Sequence, residues 1–154
     1  MEPDCCTQSF ESSDARCPVS NGRGVLVSAR TVKALLMDPA LCRLESAPFR
    51  FCPDPDCRVV YFDVAGRCIL TTEIRVPVWQ KEPFGNRPIC YCFGESEASI
   101  RREIDMSGRS MAVDRVRGHI NAGRCACEFR NPRGACCLGD LIAAVRRLVS
   151  STPA

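Results

Sequence analysis

Cys90-Tyr91-Cys92, Cys125-Ala126-Cys127 and Cys136-Cys137 place six thiols among residues 90–137. Set between Gly, Pro and Asn residues, they are poor packing material and a good cage for a soft metal ion or an iron–sulfur cluster. Between Cys92 and Cys125 the residues read as two helices that can fold back and bring the two Cys-x-Cys loops together. Helix starts near such loops offer backbone N–H groups to bound anionic sulfur. Hydrolytic chemistry has no comparable support. His119 is the only histidine, sits mid-helix among polar residues, has no identifiable nucleophile beside it and reads as a surface residue.

The elements that must position these thiols belong to an ordinary globular chain of 154 residues, 45% hydrophobic and 25% charged, long enough to bury a core. Thirteen cysteines is an odd number, and Met1-Glu2-Pro3-Asp4 has neither a basic nor an apolar leader region. A secreted disulfide framework is therefore not expected, and the default is a cytoplasmic protein with reduced thiols. Apolar runs such as Leu141-Ile142-Ala143-Ala144-Val145 fall far short of the ~20 residues that span a bilayer. A net charge of +3, with both signs interspersed, gives no electrostatic footprint for nucleic acid. Arg101, Arg102, Arg146 and Arg147 read as solvated helix faces.

Residues 1–16 lack hydrophobic periodicity and read as a flexible arm containing Cys5 and Cys6. Ser28 is placed to cap a short helix through Thr31-Val32-Lys33-Ala34-Leu35-Leu36, which Asp38-Pro39 should end. Phe49-Arg50-Phe51, Arg58-Val59-Val60-Tyr61-Phe62 and Cys68-Ile69-Leu70-Thr71-Thr72 predict a small antiparallel sheet. Gln80 to Pro88 reads as a linker. Ser96 should cap a helix that Ser107-Gly108 stops, Ser110 to Ala122 predicts a second helix ending at Gly123, and the spacing of Leu138, Leu141, Ile142, Val145, Leu148 and Val149 predicts a third. Cys42 and Cys68, beside Leu41 and Ile69, read as core fillers. Trp79 and the phenylalanines read as packing residues, and Tyr91 as a shield for whatever the thiols bind.

Taken together, Pro88-Ile89-Cys90-Tyr91-Cys92-Phe93-Gly94, Gly123-Arg124-Cys125-Ala126-Cys127-Glu128, Asn131-Pro132-Arg133-Gly134 and Cys136-Cys137-Leu138-Gly139-Asp140 resemble the [2Fe-2S] part of CopZ-type copper-chaperone N-terminal domains. That part is itself similar to bacterioferritin-associated ferredoxin. The resemblance extends upstream through Cys52-Pro53-Asp54-Pro55-Asp56-Cys57 and Arg75-Val76-Pro77-Val78, covering residues 17 to about 145. It implies an α+β fold with a flexible arm over 1–16, a zinc-binding β-rich subdomain over 17–80, and a helical [2Fe-2S]-binding subdomain over 81–150.

Carried over from the resemblance, the cluster ligands are Cys90, Cys92, Cys127 and Cys137, with Cys125 and Cys136 as substitutes. The implied zinc site takes Cys52 and Cys57, a half-site for tetrahedral Zn²⁺, and Cys17. Where a Cys-Pro-x-Cys knuckle would supply a fourth thiolate this chain has Ser20. Cys6 is the replacement expected here, with Cys5, Asp54, Asp56 or water as alternatives.

The function so implied is a redox and metal-handling protein that reduces Cu(II) to Cu(I), served by an electron-donor protein. The 154 residues contain no Met-x-Cys-x-x-Cys loop of the kind such copper chaperones carry, so delivery is expected to fall to a separate chaperone or pump. Two other classes compete. One is a zinc-dependent module that docks on protein or nucleic acid, its later cysteines holding a second zinc. The other is an iron-release or cluster-carrier ferredoxin.

Overall fold

The computed structural model describes residues 14–151. Strands β1 (Val25–Val27), β2 (Phe49–Phe51), β3 (Val59–Phe62) and β4 (Cys68–Leu70) form one antiparallel sheet in that order. The last three lie where β-branched and aromatic runs predict them. β1 is not expected from the sequence, and it forms because β2 offers it a partner edge, with Val25 opposite Phe51 and Val27 opposite Phe49.

A strand on a half-solvated sheet alternates buried and exposed positions, yet β3 is buried at all four. Both of its faces are covered. Val60 and Tyr61 join one apolar cluster with Val32, Leu35 and Leu36, while Val59 and Phe62 join another with Cys17, Cys52 and Cys57. A register shift between Val59 and Tyr61 lets two successive residues share the first cluster. The cysteine-bearing loops thus do for the second sheet face what a helix does for the first.

Helix α1 (Ala29–Leu35) starts at Ser28, whose Oγ accepts the Arg30 N–H at 3.1 Å. It ends before Asp38-Pro39 is reached, because Leu36 turns extended and bridges to Ile74. Asp38-Pro39 opens the short helix α2 (Asp38–Leu41) rather than closing α1, since a first-turn proline forfeits no helical hydrogen bond. Cys42, at the end of α2, is exposed, and Cys68 only half-buried. The expectation of a core role fails for Cys42, whereas Cys68 packs at the edge of the cysteine cluster.

In the second half a hairpin of β5 (Pro88–Cys90) and β6 (Glu95–Ser96) leads into helix α3 (Glu97–Ser107). Ser96 and Ser99 cap α3 reciprocally, at 3.1 and 3.0 Å, and Gly108 ends it with φ 75°. Helix α4 (Ala112–Asn121) starts later than expected. Ser110 and the Met111 N–H are instead held by the Glu103 carboxylate, each at 2.8 Å. A one-turn helix α5 (Cys127–Arg130) precedes α6 (Leu138–Ser150). Ile100, Ile104, Val116, Leu141, Ala144 and Leu148 interlock α3, α4 and α6 behind the cysteine loops. Among the described residues no helix is long and apolar enough to cross a membrane.

The two halves are locked together. Tyr61 donates its hydroxyl to the Pro132 carbonyl at 2.5 Å, and α1 packs on α5. Gly134 lies so close to α1 that a Cβ on it would stand 2.8 Å from Thr31 Oγ1, and its φ of +67° also favours glycine. Residues 80–88, read as a linker, are tied down at several points. Lys81 donates to the Asp54 carbonyl at 2.7 Å, and Gly85 and Arg87 each donate to Glu97 at 2.7 Å. Beside this segment Tyr91 donates to the Pro77 carbonyl at 2.6 Å while accepting the Trp79 N–H. Tyr91 is thus a clasp between the halves.

Arg87 is 7% exposed, its guanidinium 3.9 Å from the Phe84 ring centre and paired to Glu97 at 2.7 Å. Glu97, 1% exposed, also accepts the Gly85 N–H and pairs with Arg147. Arg147 and Arg101, which donates to Ser151 at 2.8 Å, are therefore structural rather than merely solvated. Burial alone would raise the Glu97 carboxyl, but the hydrogen bonds from Arg87, Gly85 and Arg147 hold it at about 2. A depressed carboxyl contributes stability above its unfolded value and loses it as the pH falls through the folded value. Stability should accordingly fall between pH 4.5 and pH 2, by on the order of 3 kcal/mol from this group. Glu97→Gln should flatten that slope, as followed by urea unfolding across the pH range.

Candidate metal centres

Cys17, Cys52 and Cys57 come from three separate segments: the turn before β1, the end of β2 and the turn before β3. Their sulfurs all lie within 4.8 Å of one another, and all three residues are buried. Cys17 and Cys57 are 3.8 Å apart, sulfur to sulfur. That is about the edge of a tetrahedron with Zn–S bonds of ~2.3 Å.

Each of the three sulfurs also receives a main-chain N–H from two residues onward. Val19 donates to Cys17, together with Ser20; Asp54 donates to Cys52; Val59 donates to Cys57 at 3.4 Å. Three thiols whose amide partners all point at sulfur suit thiolates held for a cation. Burial acts against ionisation, but in Cys17 the amide and Ser20 hydrogen bonds outweigh it and bring the thiol below its ordinary value. Cys52 stays above its ordinary value through burial, despite Ser20, the Asp54 amide and the positive charge of Lys81. Lys81 had no signature in the sequence, since it joins the site only through the packing of residues 80–88. The donor set therefore fits zinc: three soft thiolates, a cation behind them and a dry setting. Cys6, expected as the fourth ligand, and Cys5 lie outside the described residues.

The second set of thiols gathers where β5, α5 and the start of α6 meet. Cys90, Cys127 and Cys137 are 1%, 8% and 2% exposed. Cys92 lies 3.7 Å from Cys127, sulfur to sulfur, and Cys90 is hydrogen-bonded to Cys137. The four expected thiols thus lie in one cluster, Cys90, Cys127 and Cys137 buried in it and Cys92 packed against it. The hydrogen bond from Cys137 brings Cys90 down to about 6, and the same bond with burial drives Cys137 far upward. Burial and the neighbouring Cys125 raise Cys127 to about 12. The Ala126 N–H donates to Cys92 at 3.3 Å, and the Cys137 N–H donates to Cys127. Clustered thiols, three of them buried, with amides aimed at the sulfurs of Cys92 and Cys127, fit a thiolate-held group.

Cys125 is exposed with its sulfur 3.5 Å from that of Cys127, and Cys136 is exposed. Cys92, Cys125 and Cys127 also converge within 4.8 Å. Beside Cys92, the Phe93 ring stacks on His119 with centres 4.3 Å apart. His119 is thus half-buried, not a free surface residue. Its Nδ1 lies 3.1 Å from Arg124.

An α+β fold whose sheet is covered on one face by a buried three-cysteine cage is that of a cysteine-rich metal-binding protein. The comparison with known proteins is more particular. Residues 14–75 match the zinc-binding domain model of the CopZ family, and the chain is similar to the CopZ-type N-terminal domains over most of its length. It is 30% identical over 123 residues to the copper chaperone CopZ of Archaeoglobus fulgidus, a match covering 79% of this chain. The chain spans only 57% of that relative's length. Its fold matches the X-ray structure of the A. fulgidus CopZ N-terminal domain with a TM-score of 0.69 and 28% identity, over 84% of this chain and 96% of that one.

Proposed function

We propose that the chain is a two-centre redox protein that handles copper, with zinc at Cys17, Cys52 and Cys57 and a [2Fe-2S] cluster at Cys90, Cys92, Cys127 and Cys137. The observation that carries this reading is the separation of these thiols into two groups, Cys17, Cys52 and Cys57 in one and, in the other, the buried Cys90, Cys127 and Cys137 with Cys92 packed against them. A [2Fe-2S] group held there supplies one electron at a time, the stoichiometry that takes Cu(II) to Cu(I). The chain's own residues set the conditions. Ile89, Ile100 and Leu141, all fully buried, exclude water from behind the cysteine loops, and the Ala126 and Cys137 amides stabilise sulfur-centred charge.

Copper is the substrate in this reading, and the exposed thiols Cys125 and Cys136 beside the assigned ligands are where a thiophilic ion docks. An electron-donor protein and a chaperone or pump that accepts the metal complete the scheme. The test is to reduce the anaerobically isolated protein with dithionite, desalt it and mix it with Cu(II) in a stopped-flow instrument. Loss of the reduced spectrum should be matched by Cu(I) trapped in a chelator. The Cys125→Ser/Cys136→Ser double variant should keep its visible spectrum and react more slowly. Oxidation without any Cu(I) would dismiss the copper reading.

The convergence of Cys92, Cys125 and Cys127 favours one second reading, a purely zinc-binding interaction module with two structural ions. Colour separates the two, because zinc thiolate does not absorb in the visible.

A further inference from the structure

Ser20 stands where the turn from Cys17 would bring a second knuckle cysteine. Its Oγ lies 3.4 Å from the sulfur of Cys52 and is also hydrogen-bonded to Cys17. The Gly22 N–H donates to Ser20 Oγ at 3.3 Å, which fixes the hydroxyl toward the sulfurs. Asn21 takes φ 60°, so the chain adopts a left-handed residue to hold the turn. Cys17, Cys52 and Cys57 supply three corners of the cage, and Ser20 is the further polar side chain seen reaching the same sulfurs. It is half-buried, between Val19, 68% exposed, and the buried thiols. Of the four residues it is the one that is not fully buried.

We propose that the fourth coordination position of the zinc site lies at Ser20 and not at a fourth cysteine, leaving an exchangeable position that takes water or an external thiol. The proposal rests on the zinc reading above. A neutral hydroxyl is a weak zinc ligand beside three thiolates, and sites with three protein ligands keep their fourth position for water or an incoming group. An incoming thiol would bind zinc there as a thiolate, its S–H proton passing to solvent and the bound water leaving, with no change of oxidation state. The Ser20 hydroxyl is placed to donate to the entering sulfur.

The experiment is to exchange the zinc of the full chain for Co(II) and read the sulfur-to-cobalt charge-transfer band, with zinc affinity measured in parallel against a chromophoric chelator. Each thiolate adds its own intensity, so Ser20→Cys should raise the band by about one third and tighten zinc binding by about tenfold or more. Added free cysteine should raise the band of the natural chain toward the same value and leave Ser20→Cys unchanged. Cys5→Ser/Cys6→Ser should leave the natural band as it is. A band that falls by about a quarter in Cys5→Ser/Cys6→Ser, or one that free cysteine cannot raise, would overturn the proposal while leaving the zinc site itself standing. No charge-transfer band in the natural chain would instead sink the three-thiolate site, and the proposal with it.

Discussion

Cys57→Ala is expected to emerge from anaerobic purification without zinc and with a melting temperature lowered by about 10–15 °C, the equivalent of about 4 kcal/mol in a chain of this size. The reason is the composition of the second core cluster. Cys17, Cys52, Cys57, Val59 and Phe62 make up its buried part, so three of five members are thiols that attract one another little without an ion between them. Structural zinc contributes its binding free energy to folding, on the order of 10 kcal/mol in small zinc domains. Here part is retained because Val60 and Tyr61 also pack against α1. Differential scanning calorimetry with zinc analysis checks both outcomes. Cys42→Ala, at an exposed position, is the control and should change neither. Unchanged zinc content and melting in Cys57→Ala would remove this cysteine from the site.

The second large effect is spectroscopic. Cys90→Ala, and separately Cys92→Ala, should abolish visible absorption while the zinc content of the first half stays intact. Cys90 is buried in one cluster with Cys137 and Cys127, and Cys92 lies 3.7 Å from Cys127, sulfur to sulfur. Deleting either removes one of the four thiolates assigned to the proposed [2Fe-2S] cage. Cys136→Ser, at an exposed position, should stay coloured. A coloured Cys90→Ala protein with unchanged iron would show that the first Cys-x-Cys loop is not part of the cage.

Much of the scaffold could be read before any coordinates. Helix starts and stops announced themselves where a side chain must satisfy orphan backbone groups, as at Ser28, Ser96 and Gly108, and α6 did so through the spacing of its apolar residues. The short elements did not. β1, β5 and β6 have two or three residues each; β2 and β4 are no longer but lie in runs bounded by turn residues, whereas β1, β5 and β6 exist because a neighbouring strand offers hydrogen bonds. The reading of Asp38-Pro39 as a helix stop missed that a proline in the first turn of a helix is as acceptable as one beyond its end.

The candidate site divides in the same way. Cys52 and Cys57 stand out in sequence by their spacing and by the strand that follows. Which thiols of the later loops pair across space depends on how α5 and α6 turn their first residues, which no local pattern encodes. Lys81 and Ser20 are sharper cases. Lys81 reaches the first cage through tertiary packing alone, and Ser20 reads as a missing ligand until its hydroxyl is seen against Cys52. The exposure of Cys42 shows the opposite error, since an apolar neighbour in sequence says nothing of which way a one-turn helix faces.

The central claim, two distinct thiolate centres of different chemistry in one chain, meets its most direct test in the metal and acid-labile sulfide content of protein isolated without oxygen. One tetrahedral zinc and one four-thiolate [2Fe-2S] cage require iron, sulfide and zinc at about 2:2:1 per chain, in a red-brown protein. A colourless protein containing zinc alone would contradict it.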